Sequence, residues 1–380
     1  MRIGIEAQRI FRPKKHGMDM VALELIRNLQ QIDLRNEYFI FVKPDSDNKV
    51  ILETSNFHII ELGGGPYPTW EQLALPFAVK KYKCDVLHCT SNTAPVFCPV
   101  PLMVTLHDII YMEKHSLLQK GGSWYQKFGN LYRRWNVPRV VDKSQIVITV
   151  SDFERERISR FFKLNDKKLH TVYNGVGRHF KPIEDRDELY GVQKKYHLPE
   201  QFFFFLGNTD PKKNTRGVLK AFADFKKSDD EDYKLVMPDY EENALMNLLN
   251  ELGCPEIRSH IHLTGYIANT DLPAIISLSK LFLYPSLRES FGIPILEGMA
   301  CGKPVITSNT SSMPEIAGDA ALIIDPFQPE QITEAIVKLL ADEELYNTLV
   351  AKGIERASRF SWENMAKEVL NFYGQFDAKQ

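Results

Sequence analysis

The 380-residue chain lacks any apolar run of about eighteen residues, the length that a membrane-spanning helix needs. Its amino terminus, MRIGIEAQRIF, lacks the long apolar stretch of a signal peptide. The formal net charge of −2 gives no overall basic field for nucleic acid, and neither paired zinc ligands nor an aromatic ribonucleoprotein motif is found. We therefore expect a cytoplasmic protein without a nucleic-acid partner.

Cysteine is scarce, and its pattern excludes two kinds of site. The residues are odd in number and contain no Cys-x-x-Cys pair, so the sequence signals neither a disulfide framework nor a zinc site. We expect reduced thiols at all of them. They are Cys84, Cys89, Cys98, Cys254 and Cys301.

Short apolar runs alternate with helical stretches along the whole chain. The length of 380 residues suits about two domains. This alternation predicts parallel sheets, and we expect two doubly wound α/β domains at 1–180 and 181–360. The polar stretch 181–195, part of it helical, is the expected hinge. The runs are Ile3–Ile5, Tyr38–Val42, Val86–His88, Leu102–Leu106, Ile146–Val150, Phe202–Leu206, Lys234–Met237, Ile261–Leu263, Leu281–Tyr284, Val305–Thr307 and Ala321–Ile324.

Residues 284–304, YPSLRESFGIPILEGMACGKP, are the most informative segment. An apolar strand ends at Tyr284, and Pro294 suits the first position of a following helix, which would put Glu297 in its first turn. The free N–H groups of a helix start attract a diphosphate, and Gly292 lets backbone approach it closely. A carboxylate can accept two hydrogen bonds from a vicinal diol, so Glu289 and Glu297 suit a sugar and a ribose.

A second loop has a layout that suits phosphate. Gly207-Asn208-Thr209-Asp210-Pro211-Lys212-Lys213-Asn214-Thr215 follows an apolar strand and precedes a helical run. A lysine beside a diphosphate neutralises charge on the leaving group, and one positioned cation can lower a barrier by several kcal/mol, order of magnitude. Solvated lysines at a helix start are the alternative interpretation.

Together with Met313-Pro314-Glu315-Ile316-Ala317-Gly318, the 284–304 motif closely resembles glycosyltransferase family 4, retaining enzymes with the GT-B fold. The resemblance implies two Rossmann-like domains facing across a cleft, with the last helix, within 361–380, crossing back onto the first domain. It implies that Glu289 contacts the donor sugar, Glu297 the donor ribose and Lys213 the leaving group. It also places Ser290, Phe291, Gly292 and Ile293 in the donor loop.

Three further segments resemble the family pattern, and two of them differ from it at one residue. His107 follows the strand ending at Leu106, where relatives carry a His that contacts the donor. Gly17 could admit phosphate or acceptor, but Asp19 stands where relatives often have a second glycine. Asn208 stands where many relatives have an arginine, so Lys212 is the candidate for the second positive charge.

Residues 114–143 combine seven basic residues and one acidic residue with interleaved aromatics. The spacing of Trp124, Phe128, Leu131 and Trp135 fits one helical face. We favour a buried aromatic face with a solvated basic side. Contact with an anionic membrane surface, at the inner face of the membrane, or with a lipid pyrophosphate is the alternative.

The predicted function is therefore retaining transfer of a hexose, with mannose the first guess, from a nucleotide-diphosphate sugar to a glycan or lipid-linked acceptor in polysaccharide biosynthesis. No cofactor or metal is expected, because helix dipoles and lysine would replace a cation and no Asp-x-Asp motif lies near these residues. The alternatives are a sugar-nucleotide epimerase with the same fold and a non-catalytic glycan-binding subunit.

Overall fold

The computed structural model describes residues 1–113, 124–228 and 231–377. The chain forms two compact units: Met1–Gly175 together with the chain from Trp362 onward, and Val176–Ser361. The polar stretch 181–195 thus lies inside the second unit rather than between the two. This position departs from the expected hinge, whereas the helix that begins at Arg186 agrees with the expectation that part of the stretch is helical.

Within the described residues, the first unit contains a sheet of seven parallel strands in the order β3-β2-β1-β4-β5-β6-β7. The second contains six parallel strands in the order β10-β9-β8-β11-β12-β13. The strands are β1 (Arg2–Glu6), β2 (Glu37–Val42), β3 (Phe57–Glu61), β4 (Val86–Cys89), β5 (Leu102–Thr105), β6 (Ile146–Thr149), β7 (Leu169–Thr171), β8 (Phe202–Phe205), β9 (Lys234–Met237), β10 (Ile261–Leu263), β11 (Leu281–Tyr284), β12 (Val305–Ser308) and β13 (Leu322–Ile324).

Helices connect these strands, numbered here in chain order. They are α1 (Gly17–Ile32), α2 (Tyr67–Thr69), α3 (Leu75–Lys81), α4 (Trp124–Lys143), α5 (Asp152–Phe162), α6 (Arg186–Tyr196), α7 (Thr215–Lys226), α8 (Glu242–Leu252), α9 (Leu272–Leu278), α10 (Ile293–Ala300), α11 (Met313–Ala317), α12 (Pro329–Ala341), α13 (Glu343–Ser358) and α14 (Trp362–Asp377). A π-helical segment, Trp70–Ala74, joins α2 to α3. Short 3-10 helices lie at Ile110–Met112, Pro211–Lys213 and Pro255–His260.

Both sheets are doubly wound, as predicted, because the strand order runs outward in two directions from a central pair. That pair is β1 and β4 in the first unit and β8 and β11 in the second. In open α/β sheets the crevice beyond the carboxyl ends of such a pair is the usual ligand site. The loops after these four strands therefore define where each unit would bind a ligand.

The apolar runs pack as a doubly covered sheet requires. All four phenylalanines of β8, Phe202–Phe205, are buried, because helices cover both faces of a parallel sheet. Phe203 packs on the ring of Tyr233 with centroids 4.9 Å apart, inside a core that includes Leu281 and Ile306. Backbone pairing of β8 with β11 places Leu283 opposite Phe205 and so sets the carboxyl ends of the two strands side by side.

The last helix, α14, belongs to the first unit, where it packs on α1. Tyr373 of α14 is fully buried, and its hydroxyl lies 2.7 Å from His88 Nδ1 on β4. The other ring nitrogen of His88 bonds Thr105 Oγ1 at 2.8 Å, and burial lowers the pKa of His88 to about 3. A neutral imidazole therefore links α14 to β4 and β5 of the first sheet.

Helix α4 departs from the predicted buried aromatic face. Phe128, Leu131 and Trp135 are 48%, 65% and 44% exposed, so that interpretation is wrong for these side chains. Residues 114–123 and the side chains of Trp124 and Tyr125 lie outside the described residues. None of the described helices combines the length and the apolar composition needed to cross a membrane.

Candidate active site

The loop after β8 is fixed by side chains at its base. Asn214 adopts a left-handed conformation with φ 59°, and its buried amide donates to the carbonyls of Pro285 at 3.0 Å and Pro326 at 2.9 Å. Asp210 caps the 3-10 turn by accepting from the Lys212 N–H at 3.0 Å. This arrangement holds Lys213 at the carboxyl end of β8.

The loop after β11 is held by hydroxyl groups of the segment 307–312. Thr307, Ser308 and Thr310 donate to carbonyls between Tyr284 and Leu287, at 3.0, 2.6 and 3.0 Å. Ser312 Oγ donates to the Glu289 carbonyl at 3.0 Å, while Ser311 Oγ accepts from the Glu289 N–H at 3.0 Å. The backbone that presents Glu289 is therefore anchored on both sides of that residue.

These two loops bring Lys213 and Glu289 into direct contact. Lys213 Nζ donates to Glu289 Oε1 at 2.7 Å and to the hydroxyl of Tyr284 at 2.7 Å. Tyr284 is buried, and its ring lies 4.8 Å below the same ammonium. The two residues predicted from separate motifs thus form one partly buried ion pair at the central pair of strands.

Helix α10 begins beside this pair. Gly292 precedes it with φ 100° and ψ 48°, a left-handed conformation that other residues rarely adopt, so glycine is required by the backbone itself. The helix starts at Ile293, with Pro294 in its second position. Glu297 consequently lies past the first turn, and its predicted first-turn position is wrong.

Glu297 is nevertheless electrostatically close to the ion pair. Burial raises the pKa of Glu297 to about 7, and the positive charge of Lys213 opposes that rise. At neutral pH this carboxyl is poised between its two protonation states. The affinity of a ligand that hydrogen-bonds to the ionised carboxylate of Glu297 would therefore depend on pH.

The other predicted donor residues differ in what they offer. Phe291 is buried, with its ring 6.0 Å from Phe360 in an edge-on arrangement, so its side chain serves packing. Asn208 is exposed, and its Oδ1 accepts from the Asp210 N–H at 2.8 Å. The exposed Lys212 lies 3.5 Å from the carboxylate of Asp210. Ser290 and Ile293 are partly buried on either side of Gly292.

In the first unit, His107 follows β5 and is buried. Its backbone N–H donates to Asn92 Oδ1 at 2.6 Å, and its ring Nε2 lies 2.9 Å from the Thr90 carbonyl. Because a carbonyl only accepts, Nε2 carries the proton and Nδ1 is left as the acceptor. Burial lowers the pKa of His107, which favours this neutral form.

The departure at Asp19 has a structural explanation. Asp19 Oδ2 accepts from the His16 N–H at 3.0 Å and caps α1, while Oδ1 lies 2.8 Å from Nε of Arg9. A Cβ added at Gly17 would meet nothing within 4 Å, so packing does not require glycine there. The predicted contact of Gly17 with phosphate or acceptor stays a prediction.

Comparison with known families covers most of the chain. Residues 185–356 match the family described as glycosyl transferases group 1. Residues 16–179 match the one described as glycosyltransferase family 4. The chain belongs to the family 4 glycosyltransferases. The resemblance carried by residues 284–304 and 313–318 is therefore confirmed.

Relatives of this glycosyltransferase include mannosyltransferases. It is 34% identical to O-antigen chain mannosyltransferase B of Escherichia coli over 246 residues, which are 64% of this chain and 64% of that protein. It is 28% identical to the serotype-specific mannosyltransferase WbdA of Escherichia coli over 231 residues, 59% of this chain and 28% of that protein. The matches thus span less than two thirds of the length of either relative.

Solved structures confirm the expected fold of the glycosyltransferase. Sucrose-phosphate synthase from Thermosynechococcus elongatus gives a TM-score of 0.78 at 19% identity, with 100% of both chains covered. HepE of Anabaena in complex with UDP-glucose gives 0.76 at 15% identity, covering 99% of this chain and 100% of that one. At these identities the likeness establishes the GT-B fold.

The glycosyltransferase also contains polar residues that sequence reasoning missed. Glu71 is fully buried in the π-helical segment and accepts from Tyr67 at 2.7 Å, Thr93 at 2.5 Å, Gln72 at 3.1 Å and the hydroxyl of Tyr132. Tyr284, which bonds Lys213, was predicted only as the end of a strand. In neither case does spacing in the sequence indicate the contact.

Metal chemistry was not expected, and the described residues contain no group of three or more His, Cys, Asp or Glu side chains placed to hold an ion. Metal-independent catalysis stays a prediction. All five cysteines are free thiols.

Proposed function

We propose that the chain transfers a hexose, with mannose the first candidate, from a nucleotide-diphosphate sugar to a hydroxyl of a glycan or lipid-linked acceptor. The mannosyltransferase relatives support the choice of sugar and the setting of polysaccharide assembly. HepE, whose structure contains UDP-glucose, supports the class of donor. The epimerase and the non-catalytic subunit find no support among these relatives.

The observation that carries this proposal is the 2.7 Å contact between Lys213 and Glu289 beside the start of α10. It places a cation, a carboxylate and the free N–H groups of a helix start at the carboxyl ends of the central strands β8 and β11. A donor needs these three elements for its diphosphate and its sugar.

In the proposed reaction, Lys213 and the N–H groups at the start of α10 bind the diphosphate and stabilise the charge that develops on it. Lys212 supplies a second positive charge from the same turn. The bond between the sugar C1 and the diphosphate oxygen breaks as the acceptor oxygen bonds C1 on the same face. The acceptor proton passes to the departing phosphate, so retention needs no separate base.

Carboxylates would then orient the rest of the donor. Glu289 accepts hydrogen bonds from the sugar or faces its developing positive charge, once Lys213 turns its ammonium toward the diphosphate. Glu297 accepts from the two ribose hydroxyls in its ionised form. The contact of His107 with the donor stays a prediction.

The acceptor is proposed to be membrane-linked, which would bring the enzyme to the inner face of a membrane as a peripheral protein. The exposed apolar face of α4, formed by Phe128, Leu131 and Trp135, supports this placement. Arg139 lies 5.1 Å from the ring centroid of Trp135 and adds a positive charge beside that face.

Donor binding tests the proposal directly. Calorimetry with UDP-, GDP-, ADP- and dTDP-sugars in the presence of EDTA should show binding of GDP-mannose, and NMR of the transfer product should show the donor's anomeric configuration. A folded protein that binds none of these donors, that needs a divalent cation to bind, or that inverts the anomer would overturn it.

A further inference from the structure

A groove of about 590 Å³ opens on the first unit, outside the residues assigned to sugar transfer. One side is formed by the segment 72–80, which includes the π-helical turn and part of α3. The other side is formed by the segment 95–102, which leads into β5. Its size lies within the range of small-molecule pockets.

The walls of this groove are apolar and unusually exposed. Leu73, Phe77 and Phe97 are 66%, 73% and 81% exposed, although each has a large side chain. Pro76, Pro99 and Val100 are among the other apolar residues of the lining. Large apolar side chains gathered on one face of a protein indicate a surface that another apolar phase covers.

Charge at the groove has one sign. The charged residues that line it are Lys80 and Lys143, and no acidic side chain is among the described lining residues. Lys143 Nζ donates to the Val96 carbonyl at 2.9 Å and lies 4.4 Å from the ring centroid of Phe97. The chain as a whole has a net charge of −2, so this local excess of lysine runs against its overall charge.

The groove is continuous with the exposed face of α4. Gln72 in the groove wall donates to the hydroxyl of Tyr132 on α4 at 2.7 Å. Along the same helix, Trp135, Arg139 and Lys143 follow at intervals of four residues and form one stripe that ends at the groove. An apolar and basic surface thus extends over both elements.

We propose that this groove docks the protein on a bilayer of anionic phospholipid. Hydrocarbon would contact Phe77 and Phe97, while the lysines at the rim, Lys80 and Lys143, would contact lipid phosphate. A lipid surface fits better than a second protein, because protein interfaces are depleted of lysine at their centre whereas amphipathic membrane-binding surfaces pair exposed aromatics with it. The inference rests on the proposed function in one respect: a lipid-linked acceptor would require the protein to reach a membrane.

Flotation of the full-length protein with vesicles tests the docking without any donor. Vesicles of phosphatidylglycerol and phosphatidylethanolamine should carry the protein, and vesicles of phosphatidylcholine alone should carry much less. The double variant Phe77→Ala/Phe97→Ala should lower the partition onto anionic vesicles about tenfold. Lys80→Gln/Lys143→Gln should lower it by a similar factor and weaken its dependence on salt.

A matched control is Tyr266→Ala/Phe327→Ala in the second unit, where both rings are 69% exposed. This variant should float like the wild type, and all three variants should keep the wild-type melting temperature because the altered side chains are exposed. Absence of wild-type flotation, equal flotation of Phe77→Ala/Phe97→Ala, or an equal loss in the control would overturn the inference. Sugar transfer to a water-soluble acceptor is measured separately, so docking and the proposed function can fail independently.

Discussion

The two units share a doubly wound strand order but use the polar residues at their central strands differently. In the second unit, Lys213 and Glu289 are partly exposed and bond each other at the carboxyl ends of β8 and β11. In the first unit, the carboxyl group of Glu6 at the end of β1 is buried, accepts from the Gln8 N–H at 3.0 Å, and has a pKa raised by burial to about 7. Glu71, nearby, is also buried.

The difference teaches that position in a fold does not by itself make a polar residue catalytic. The carboxylate of Glu71 accepts four side-chain hydrogen bonds from its own unit. These bonds occupy all of its lone-pair positions, so it has none with which to accept from a ligand. Glu289 accepts from Lys213, to which the proposed function assigns the diphosphate. Exposure and an exchangeable partner distinguish the candidate active site from the internal network.

The sharpest test of this distinction is Glu289→Ala. Removing a carboxylate that faces developing charge should lower kcat for transfer about a thousandfold, equivalent to about 4 kcal/mol, with little effect on the melting temperature. Initial rates with a saturating donor measure the effect. Glu330→Ala serves as the control, since that glutamate pairs with Lys220 on the surface. Transfer at the wild-type rate by Glu289→Ala would remove this residue from the site.

In the first unit the corresponding test is Glu71→Gln. The amide nitrogen that replaces one carboxylate oxygen cannot accept hydrogen bonds. If it faces the hydroxyls of Tyr67 and Thr93, N–H and O–H donors point at each other. We expect a loss of about 3 kcal/mol in the free energy of unfolding, measured by urea denaturation. Glu61→Gln, at an exposed site on β3, should be neutral. A stable Glu71→Gln variant with impaired transfer would instead indicate a catalytic role for Glu71.

A smaller effect is expected for Tyr284→Phe. This change removes the hydroxyl that accepts from Lys213 at 2.7 Å and keeps the ring under the ammonium. We expect kcat to fall about tenfold, equivalent to about 1.4 kcal/mol, because Lys213 is less well positioned. Tyr196→Phe, whose hydroxyl bonds Asp271 at 2.7 Å, is the matched control. Equal losses of kcat in the two variants would show that Tyr284 has no special role.

The smallest predicted effect concerns pH. The pKa of Glu297 is raised to about 7, so below pH 7 its carboxyl is mostly protonated and accepts fewer hydrogen bonds from a ribose. The Kd of the donor should therefore fall about fivefold from pH 6 to pH 8. Calorimetry across this range measures it, and Glu297→Gln should give a flatter profile. An unchanged pH dependence in that variant would assign the titration to another group.

Much of the fold could be predicted because buried parallel strands are continuous apolar runs. The missed strands are β3 and β7, which form the two edges of the first sheet. An edge strand is paired on one side only, and β3, with the sequence FHIIE, is half exposed and carries a His and a Glu. With three residues, β7 is too short for any periodicity to show.

The candidate site was predictable where a motif carries it and unpredictable where contact depends on folding. Lys213 and Glu289 could each be singled out, but the hydroxyl groups of 307–312 that hold the second loop are ordinary Ser and Thr residues in the sequence. The sequence prediction starts α10 one residue late, because Pro294 occupies the second position of the helix rather than the first. That small error moved Glu297 into the wrong turn.

The attachment of α14 to the first unit has a consequence for how the protein is made. The first 175 residues are synthesised before α14, which packs on α1 and places the ring of Tyr373 beside His88. Until α14 has been synthesised, the surface of the first unit that it covers is exposed, while all of the second unit, which lies between the two segments of the first, has already been made. The first unit can therefore be completed only after the whole second unit has been synthesised.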